Sequence, residues 1–161
     1  MLFRRGRAKM MLEYYALPHA RNYPTRANPS DAGLDLPFNP IDFQPITILP
    51  GESKLFSTGL KFGIPHGFMM QIMNRSSMAA KRHLIVGACV VDSGYDGEVF
   101  VNLHNIGTEP QTINPGDKIA QGVVIQIAPV RFVAAGDDTI NSWYPITISN
   151  RGSGALGSTG Q

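Results

Sequence analysis

The sequence predicts an all-β domain, either a sandwich or a closed barrel, and three observations support that prediction. The chain has 161 residues, 43% of them apolar and only 16% charged, which is enough to build one hydrophobic core. Its 17 glycines and 12 prolines indicate many turns. Turn signals also recur about every 8–12 residues between short apolar segments, which is typical of a sandwich or barrel.

The predicted strands follow one another along the chain, and most of them end at a turn. Most of these segments alternate apolar and polar residues, and one is a nearly continuous apolar run. The predicted strands span residues 46–49, 54–64, 68–72, 84–91, 99–103 and 119–127. The clearest turns between them are Pro50-Gly51, Pro65-His66-Gly67 and Asn105-Ile106-Gly107. One short helix is predicted over residues 77–83.

The composition excludes several classes of protein and site. A net charge of +2 is not the basic footprint of nucleic-acid binding, and no apolar run is long enough to cross a bilayer of about 30 Å. We therefore expect neither nucleic acid nor a membrane as a partner. A single cysteine, Cys89, excludes an internal disulfide and cysteine-rich zinc sites. The four histidines lack the spacing of zinc ligands, so we expect no zinc.

The two ends of the chain differ in composition from the middle. Residues 1–11 form a basic tail that we expect to be disordered, and residues 12–149 form the predicted domain. Residues 150–161 are almost entirely glycine, serine and threonine around Arg151, which is the composition of a flexible segment. Such a segment can turn backbone N–H groups onto an anion, with Arg151, Ser158 and Thr159 as further donors. The alternative is a disordered terminus.

Three internal segments carry candidate chemistry, and each has a plain structural alternative. Arg75-Ser76-Ser77 suits a phosphate group, or its serine caps a helix. Asp92 ends an apolar strand, where it is a general base or a turn former, and Tyr95 nearby is a core residue or a platform for a sugar or base. Asp35 suits hydrated Mg²⁺, because that ion usually takes only one or two carboxylates.

Five segments, in this order and spacing, resemble the five motifs of the trimeric dUTP pyrophosphatase (dUTPase) family. The resemblance covers about residues 30–160 and leaves the basic tail outside. The segments are AGLDL at 32–36, RSSMA at 75–79, GACVVDSGYDGE at 87–98, GDKIAQ at 116–121 and RGSGALGSTG at 151–160.

The resemblance implies a fold, an assembly and an activity. The fold is a jelly-roll-like distorted barrel, and the assembly is a homotrimer in which the exchanged C-terminal segment, 150–161, closes as a lid over a site built by the other chains. The reaction is hydrolysis of dUTP to dUMP and pyrophosphate with Mg²⁺, which keeps uracil out of DNA and supplies dUMP for dTMP synthesis. The expected location is cytoplasmic, with nuclear, organellar, viral and phage origins left open.

The resemblance also implies a role for each residue of the motifs. Asp92 activates the attacking water, Asp35 holds Mg²⁺ through water, and Tyr95 lies against the deoxyribose. The hairpin at 87–91 reads uracil through its backbone, and Leu156 covers the base. The substrate-binding residues are Arg75, Ser76, Ser77, Gly87, Ala88, Cys89, Val90, Val91, Tyr95, Gln121, Arg151, Leu156, Gly157, Ser158 and Thr159.

Three departures from the family pattern stand out, and two alternative functions accompany them. Leu156 replaces the usual lid phenylalanine, Cys89 replaces a glycine, and Asn74 stands where proline or glycine is frequent. The alternatives are a dCTP deaminase of the same fold and a catalytically silent regulatory homologue. Asn102 occupies the place of the deaminase's glutamate base, which counts against the first alternative. The presence of Asp92 counts against the second.

Overall fold

The computed structural model of the chain describes residues 10–134. The chain divides into two units, residues 1–128 and 129–161, and the strands and the helix described below belong to the first. Three predictions concern residues that lie partly or wholly outside the described range. They are the disorder of the basic tail, the end of the predicted domain at residue 149, and the lid at 150–161. The five predicted lid residues also lie outside it, and they are Arg151, Leu156, Gly157, Ser158 and Thr159.

Within the described residues the chain is built from short strands and one short helix, so the all-β prediction is confirmed. The strands are β1 (Glu13–Ala16), β2 (Leu34–Pro37), β3 (Ile46–Ile48), β4 (Ser53–Ser57), β5 (Leu60–Gly63), β6 (Phe68–Met73), β7 (Leu84–Val86), β8 (Val90–Asp92), β9 (Phe100–Asn105), β10 (Gln111–Ile113) and β11 (Lys118–Gln126). The helix α1 spans Ser76–Arg82 and ends at His83, whose φ of 54° is left-handed. No helix of this part is long and apolar enough to cross a membrane.

Two predicted strands are each divided in two. The segment at 54–64 separates into β4 and β5, because Gly59 has a φ of +66° that an extended strand does not allow. The apolar run at 84–91 separates into β7 and β8, with residues 87–89 as the connection. The strands β1, β2 and β10 were not predicted, because segments of three or four residues show too little alternation.

The strands pair in antiparallel fashion into four small sheets. The largest has the order β2-β11-β6-β8, and a second has the order β4-β9-β7. The other two sheets are the pairs β1-β5 and β3-β10. Their inner faces enclose one apolar core, in which Phe38 and Phe56 make an edge-to-face contact with ring centroids 5.0 Å apart.

The strand β11 holds the largest sheet together, because it pairs with β2 on one side and β6 on the other. A bulge between Lys118 and Ala120 shifts its register against β2. Beyond this bulge, Gln121 lies opposite Asp35 on β2 and opposite Met73 on β6. Side chains that lie opposite one another share a face of the sheet, so these three form a row across its outer face.

The buried positions of the strands carry the stability of this core. Replacing Ile48, which is fully buried on β3, by alanine (Ile48→Ala) should lower the free energy of unfolding by about 2–5 kcal/mol. The matched control is Ile41→Ala, because Ile41 is 73% exposed in a loop and its loss should change stability by at most about 0.5 kcal/mol. Urea unfolding curves of the two variants measure the difference, and equal midpoints would contradict this description of the core.

Candidate active site

The first group of predicted site residues meets at one corner of the largest sheet. We call it the Asp35 cluster; it consists of Asp35, Arg75, Ser76, Ser77 and Gln121, and together with Ala27 and Asp31 these residues line a cavity of about 210 Å³. The strand register places Asp35 beside Gln121. Met73, the last residue of β6, lies in the same row, and Arg75 follows it by two residues, which brings Arg75 to the same corner. Five residues predicted from three separate motifs are therefore brought together by one sheet and the segment that follows β6.

Charges inside the Asp35 cluster are paired. The Arg75 Nε lies 2.8 Å from Asp35 Oδ1, and the Lys118 Nζ lies 3.0 Å from Asp35 Oδ2. Arg75 also donates from Nη1 to the Lys118 carbonyl at 2.9 Å. Sequence analysis did not single out Lys118, although it lies within the motif at 116–121. Asp31 also lines the cavity, so two cations balance two carboxylates there, and Arg75 and Lys118 are the groups that can donate to an anionic ligand.

Close packing fixes the side chain of Gln121. Its Nε2 donates to the Asn74 carbonyl at 2.9 Å. A Cβ added to Gly33 would lie 2.7 Å from Gln121 Oε1, so a side chain at position 33 would displace the Gln121 amide. The amide is thus held at the wall of the cavity rather than left to rotate.

The two serines of the cluster lie at the start of α1 but do not cap it. Arg75 occupies the N-cap position, and no side-chain hydrogen bond caps the helix. The capping alternative for Ser76 or Ser77 is therefore wrong. Both serines are exposed at the cavity, which leaves their hydroxyl groups available to a ligand.

The donor set of this cavity suits a hydrated Mg²⁺ rather than a tightly caged metal. Among the described residues no group of three or more potential metal-ligating side chains occurs. Asp35 already contacts two cations, and Asp31 accepts a hydrogen bond from the Asn28 backbone N–H at 2.8 Å. A magnesium ion that keeps its waters and contacts Asp35 through them needs no further protein ligand, so these residues fit the ion.

A second group lies at the other end of the same sheet, around the edge strand β8. We call it the Asp92 cluster; it consists of Ala88, Val90, Val91, Asp92 and Tyr95, which line a cavity of about 260 Å³ with Leu55, Glu98, Val99 and Phe100. Most of this lining is apolar. A mostly apolar cavity with two carboxylate residues, Asp92 and Glu98, in its wall is suited to the flat, weakly polar part of a ligand.

The turn after β8 holds Tyr95 in place. Its backbone N–H donates to the Asp92 carbonyl at 3.1 Å, and its hydroxyl donates to the Glu98 carbonyl at 2.8 Å. A Cβ on Gly97 would collide with the Tyr95 ring. Tyr95 is 47% exposed, so it is not a core residue but a fixed ring at the surface.

The three carboxylates around Tyr95 differ in the structure. Glu98 is an anchor, because its Oε1 accepts hydrogen bonds from the Gly59 backbone N–H at 2.8 Å and from the Ser57 hydroxyl. Asp96 is fully exposed and lies 3.8 Å from the Lys61 Nζ. Asp92 and Glu98 both line the cavity, and since Glu98 is held as an anchor, Asp92 is the carboxylate of this group best placed to act on a ligand.

Among the residues that the structure describes, part of the backbone of the hairpin between β7 and β8 is unpaired. The Ile72 N–H donates to the Cys89 carbonyl at 2.7 Å, and Val90 lies opposite Gln71. Hydrogen-bonded and non-hydrogen-bonded pairs alternate along antiparallel strands, so the N–H and C=O of Val90 point away from β6. Since β8 ends the sheet, these two groups are open to a ligand in the cavity.

Glycine is required at the base of this hairpin. The Gly87 N–H donates to the Asn102 carbonyl at 2.9 Å, and a Cβ at position 87 would collide with the side chains of Asn102 and His104. The side chain of Cys89, half-buried in the loop, lies 4.0 Å from the Gly87 carbonyl. Cysteine is therefore accommodated at position 89, where the motif usually has glycine.

The two clusters lie far apart within one chain. Asp92 is opposite Met69, whereas the Asp35 row ends at Met73. Sheet geometry separates them by about 13 Å along β6 and about 14 Å across three strand spacings. They also share no cavity-lining residue. Both occupy the outer face of the sheet, at opposite corners.

Comparisons with known sequences agree with this arrangement of motifs. A family model described as dUTPase matches residues 20–160. A relative from Chlamydia muridarum, named deoxyuridine 5'-triphosphate nucleotidohydrolase, is 35% identical over 147 residues, which cover 90% of this chain and 95% of the relative. A relative of the same name from Gloeobacter violaceus is 38% identical over 146 residues, covering 89% of this chain and 92% of the relative.

Solved structures share the fold. The dUTPase of Staphylococcus bacteriophage 80alpha with dUpNHpp superposes with a TM-score of 0.79 at 22% identity, over 95% of this chain and 100% of that chain. A mutant dUTPase from phage phi11 of S. aureus, described with the coordination of a structural Mg(II) ion, has a TM-score of 0.70 at 24% identity, over 78% and 97% of the two chains. Since the family model covers most of this chain and both relatives exceed 30% identity over nearly their whole length, the chain belongs to the dUTPase family.

Proposed function

We propose that the protein hydrolyses dUTP to dUMP and pyrophosphate, with Mg²⁺ as its cofactor. The observation that carries this proposal is the presence of both halves of the required site, the polar Asp35 cluster with Arg75 and Lys118 on its carboxylate and the apolar Asp92 cluster with its open backbone groups. Membership of the dUTPase family and the names of the two relatives support it.

Asp92 is the proposed general base. Asp92 lines the cavity of the Asp92 cluster, whereas the Glu98 carboxylate accepts a hydrogen bond from the Gly59 N–H. A base must lie within hydrogen-bond reach of the proton that it removes. Asp92 would therefore accept a proton from a water molecule positioned for in-line attack on the α-phosphorus, and no covalent intermediate with the protein is needed.

The Asp35 cluster would bind the triphosphate. Arg75 and Lys118, both in contact with Asp35, supply positive charge to phosphate oxygens, and Ser76 and Gln121 supply neutral donors. Fixed donors aimed at developing charge lower the barrier without a cost of reorganisation. Mg²⁺, held through water by Asp35, would neutralise charge on the leaving pyrophosphate when it is bound.

The backbone of the hairpin would select the base. The N–H and C=O groups of Val90 point into open space beside the cavity, as the register with Gln71 requires. A donor and an acceptor at fixed positions match the acceptor and donor of uracil and leave unpaired groups against cytosine, which is a strong form of rejection. Tyr95, held by Glu98 and Gly97, would form the wall that excludes a ribose 2′-hydroxyl.

A complete site takes more than one copy of the chain. The α-phosphate must lie near Asp92. The Asp35 cluster of the same chain is about 13 Å away along β6 and about 14 Å away across the strands, and the β- and γ-phosphates do not span that separation. The outer face between the clusters is also mostly apolar, with Met69, Val123 and Ile125 in partly buried positions beside Gln71. An antiparallel sheet with two apolar faces is covered on both. These features support the homotrimer with shared sites, to which segment 150–161 would contribute the lid.

The wild-type protein offers the first test. With Mg²⁺, we expect pyrophosphate release from dUTP, with rates on dCTP, dTTP and UTP lower by at least about a hundredfold. A parallel ammonia assay on dCTP separates the deaminase alternative, whose base position is held by Asn102, an amide. Ammonia release, or no product from any of the four nucleotides, would overturn the proposed function.

The Asp92→Asn variant tests the general base. The amide keeps the shape of the side chain but cannot take the proton, so turnover should fall by about 10²–10⁴-fold with dUTP binding nearly unchanged. Asp96→Asn is the matched control, because Asp96 is fully exposed four residues away and its rate should stay near that of the wild type. If Asp92→Asn retained half of the wild-type turnover, the assignment would be wrong.

Mixed oligomers test whether sites are shared between chains. Homogeneous Asp92→Asn and Arg75→Ala proteins should both be nearly inactive, because each lacks one half of every site. Refolding them together in equal amounts should restore about a quarter of the wild-type sites, since an intact site then forms wherever the two intact halves meet. Circular dichroism and the oligomer mass of each variant provide the control. Absence of recovery in a well-folded mixed oligomer would place the whole site in one chain.

A further inference from the structure

Asn74 connects the sheet that carries both clusters with the sheet β4-β9-β7. It lies between the end of β6 and the start of α1, and its side chain is exposed. Its Oδ1 accepts a hydrogen bond from the Val86 backbone N–H at 2.7 Å. Its own carbonyl accepts the hydrogen bond from Gln121 Nε2 at 2.9 Å. One residue therefore contacts both the strand that enters the base-reading hairpin and a member of the Asp35 cluster.

The Val86 N–H has no partner within its own sheet. Val86 lies opposite Leu103 on β9, next to the pair in which Gly87 donates to the Asn102 carbonyl. Because hydrogen-bonded pairs alternate, the Val86 N–H points to the open edge of β7. The Asn74 side chain thus pairs with the N–H of the last residue of β7, at the point where the chain enters the hairpin at 87–91.

The position of this contact gives it a role in recognition. A hairpin that reads a base through its backbone discriminates only if the backbone stays in one place. On one side the Ile72 N–H donates to the carbonyl of Cys89 in the hairpin. On the other side the Asn74 side chain holds Val86, the residue just before the hairpin. Proline or glycine, which are frequent at this position in the family motif, offer no side-chain acceptor, so a chain with either residue there lacks this contact.

We propose that Asn74 is a positioning residue: its side-chain oxygen fixes the uracil-reading hairpin to the end of β6 and thereby sets the preference for dUTP over dCTP. The proposal rests on the proposed function for its substrate. The contact itself, and its effect on the mobility of the hairpin, stand independently of the activity.

The test compares Asn74→Ala with Asn74→Asp. Alanine removes the acceptor, whereas aspartate keeps an oxygen in the same place. Amide exchange at Val86 should be about three- to tenfold faster in Asn74→Ala, as expected for the loss of one neutral hydrogen bond, and should stay near the wild-type rate in Asn74→Asp. Asn74 is exposed, so both variants should fold, and Asn74→Gly provides a second variant without an acceptor.

Kinetics supply the functional readout. The ratio of kcat/KM for dUTP to that for dCTP should fall about three- to tenfold in Asn74→Ala, mainly through a higher KM for dUTP, and should be restored in Asn74→Asp. The added charge of aspartate acts equally on both substrates, because they carry the same triphosphate, and cancels in the ratio. Unchanged exchange and selectivity in Asn74→Ala, or the same losses in Asn74→Asp, would overturn the proposal. Absence of activity on dUTP in the wild type would overturn the proposed function instead, while the exchange experiment still decides on the contact.

Discussion

One bulge in β11 positions the polar part of the candidate site. Between Lys118 and Ala120 the strand carries one residue more than β2, so Gln121 rather than Ala120 lies opposite Asp35. Without that extra residue, an alanine would face the carboxylate and Gln121 would be displaced toward Leu34. The bulge also explains why the neighbours Ile119 and Ala120 are both buried, although successive residues of a strand normally face opposite sides. The hydrophobic core and the site thus depend on the same irregularity.

The sequence predicts the fold well where a strand is long enough to show its period. β6, β9 and β11 alternate over six residues or more, and all three lie close to their predicted positions. β2 and β10 have only four and three residues, so no period is visible. The bulge at Lys118 depends on pairing with a distant strand, which leaves no local pattern.

The sequence identifies the members of the site through their motifs but does not assign their contacts. Asp92 is singled out along the chain by its place at the end of an apolar strand and by its motif, and the fold adds that Glu98 is engaged elsewhere, because the Gly59 N–H donates to its carboxylate. Lys118 joins Asp35, and Asn74 joins Val86, across sequence separations that alternation and motif spacing do not report. Glycine at position 87 belongs with them, because the side chains that a Cβ there would meet come from another strand.

The open edge of β8 has a cost that its proposed use in recognition makes unavoidable. Unpaired N–H and C=O groups at the end of a sheet can be joined by any free strand, and such edges are a common starting point for aggregation. β8 is only three residues long and runs directly into the Tyr95 turn, so a foreign strand finds few groups to pair with. A short edge of this kind still has room for one pyrimidine. Two opposing needs therefore limit the length of β8. The strand must be long enough to offer free backbone groups to a ligand, and short enough that strands of other proteins cannot pair with it.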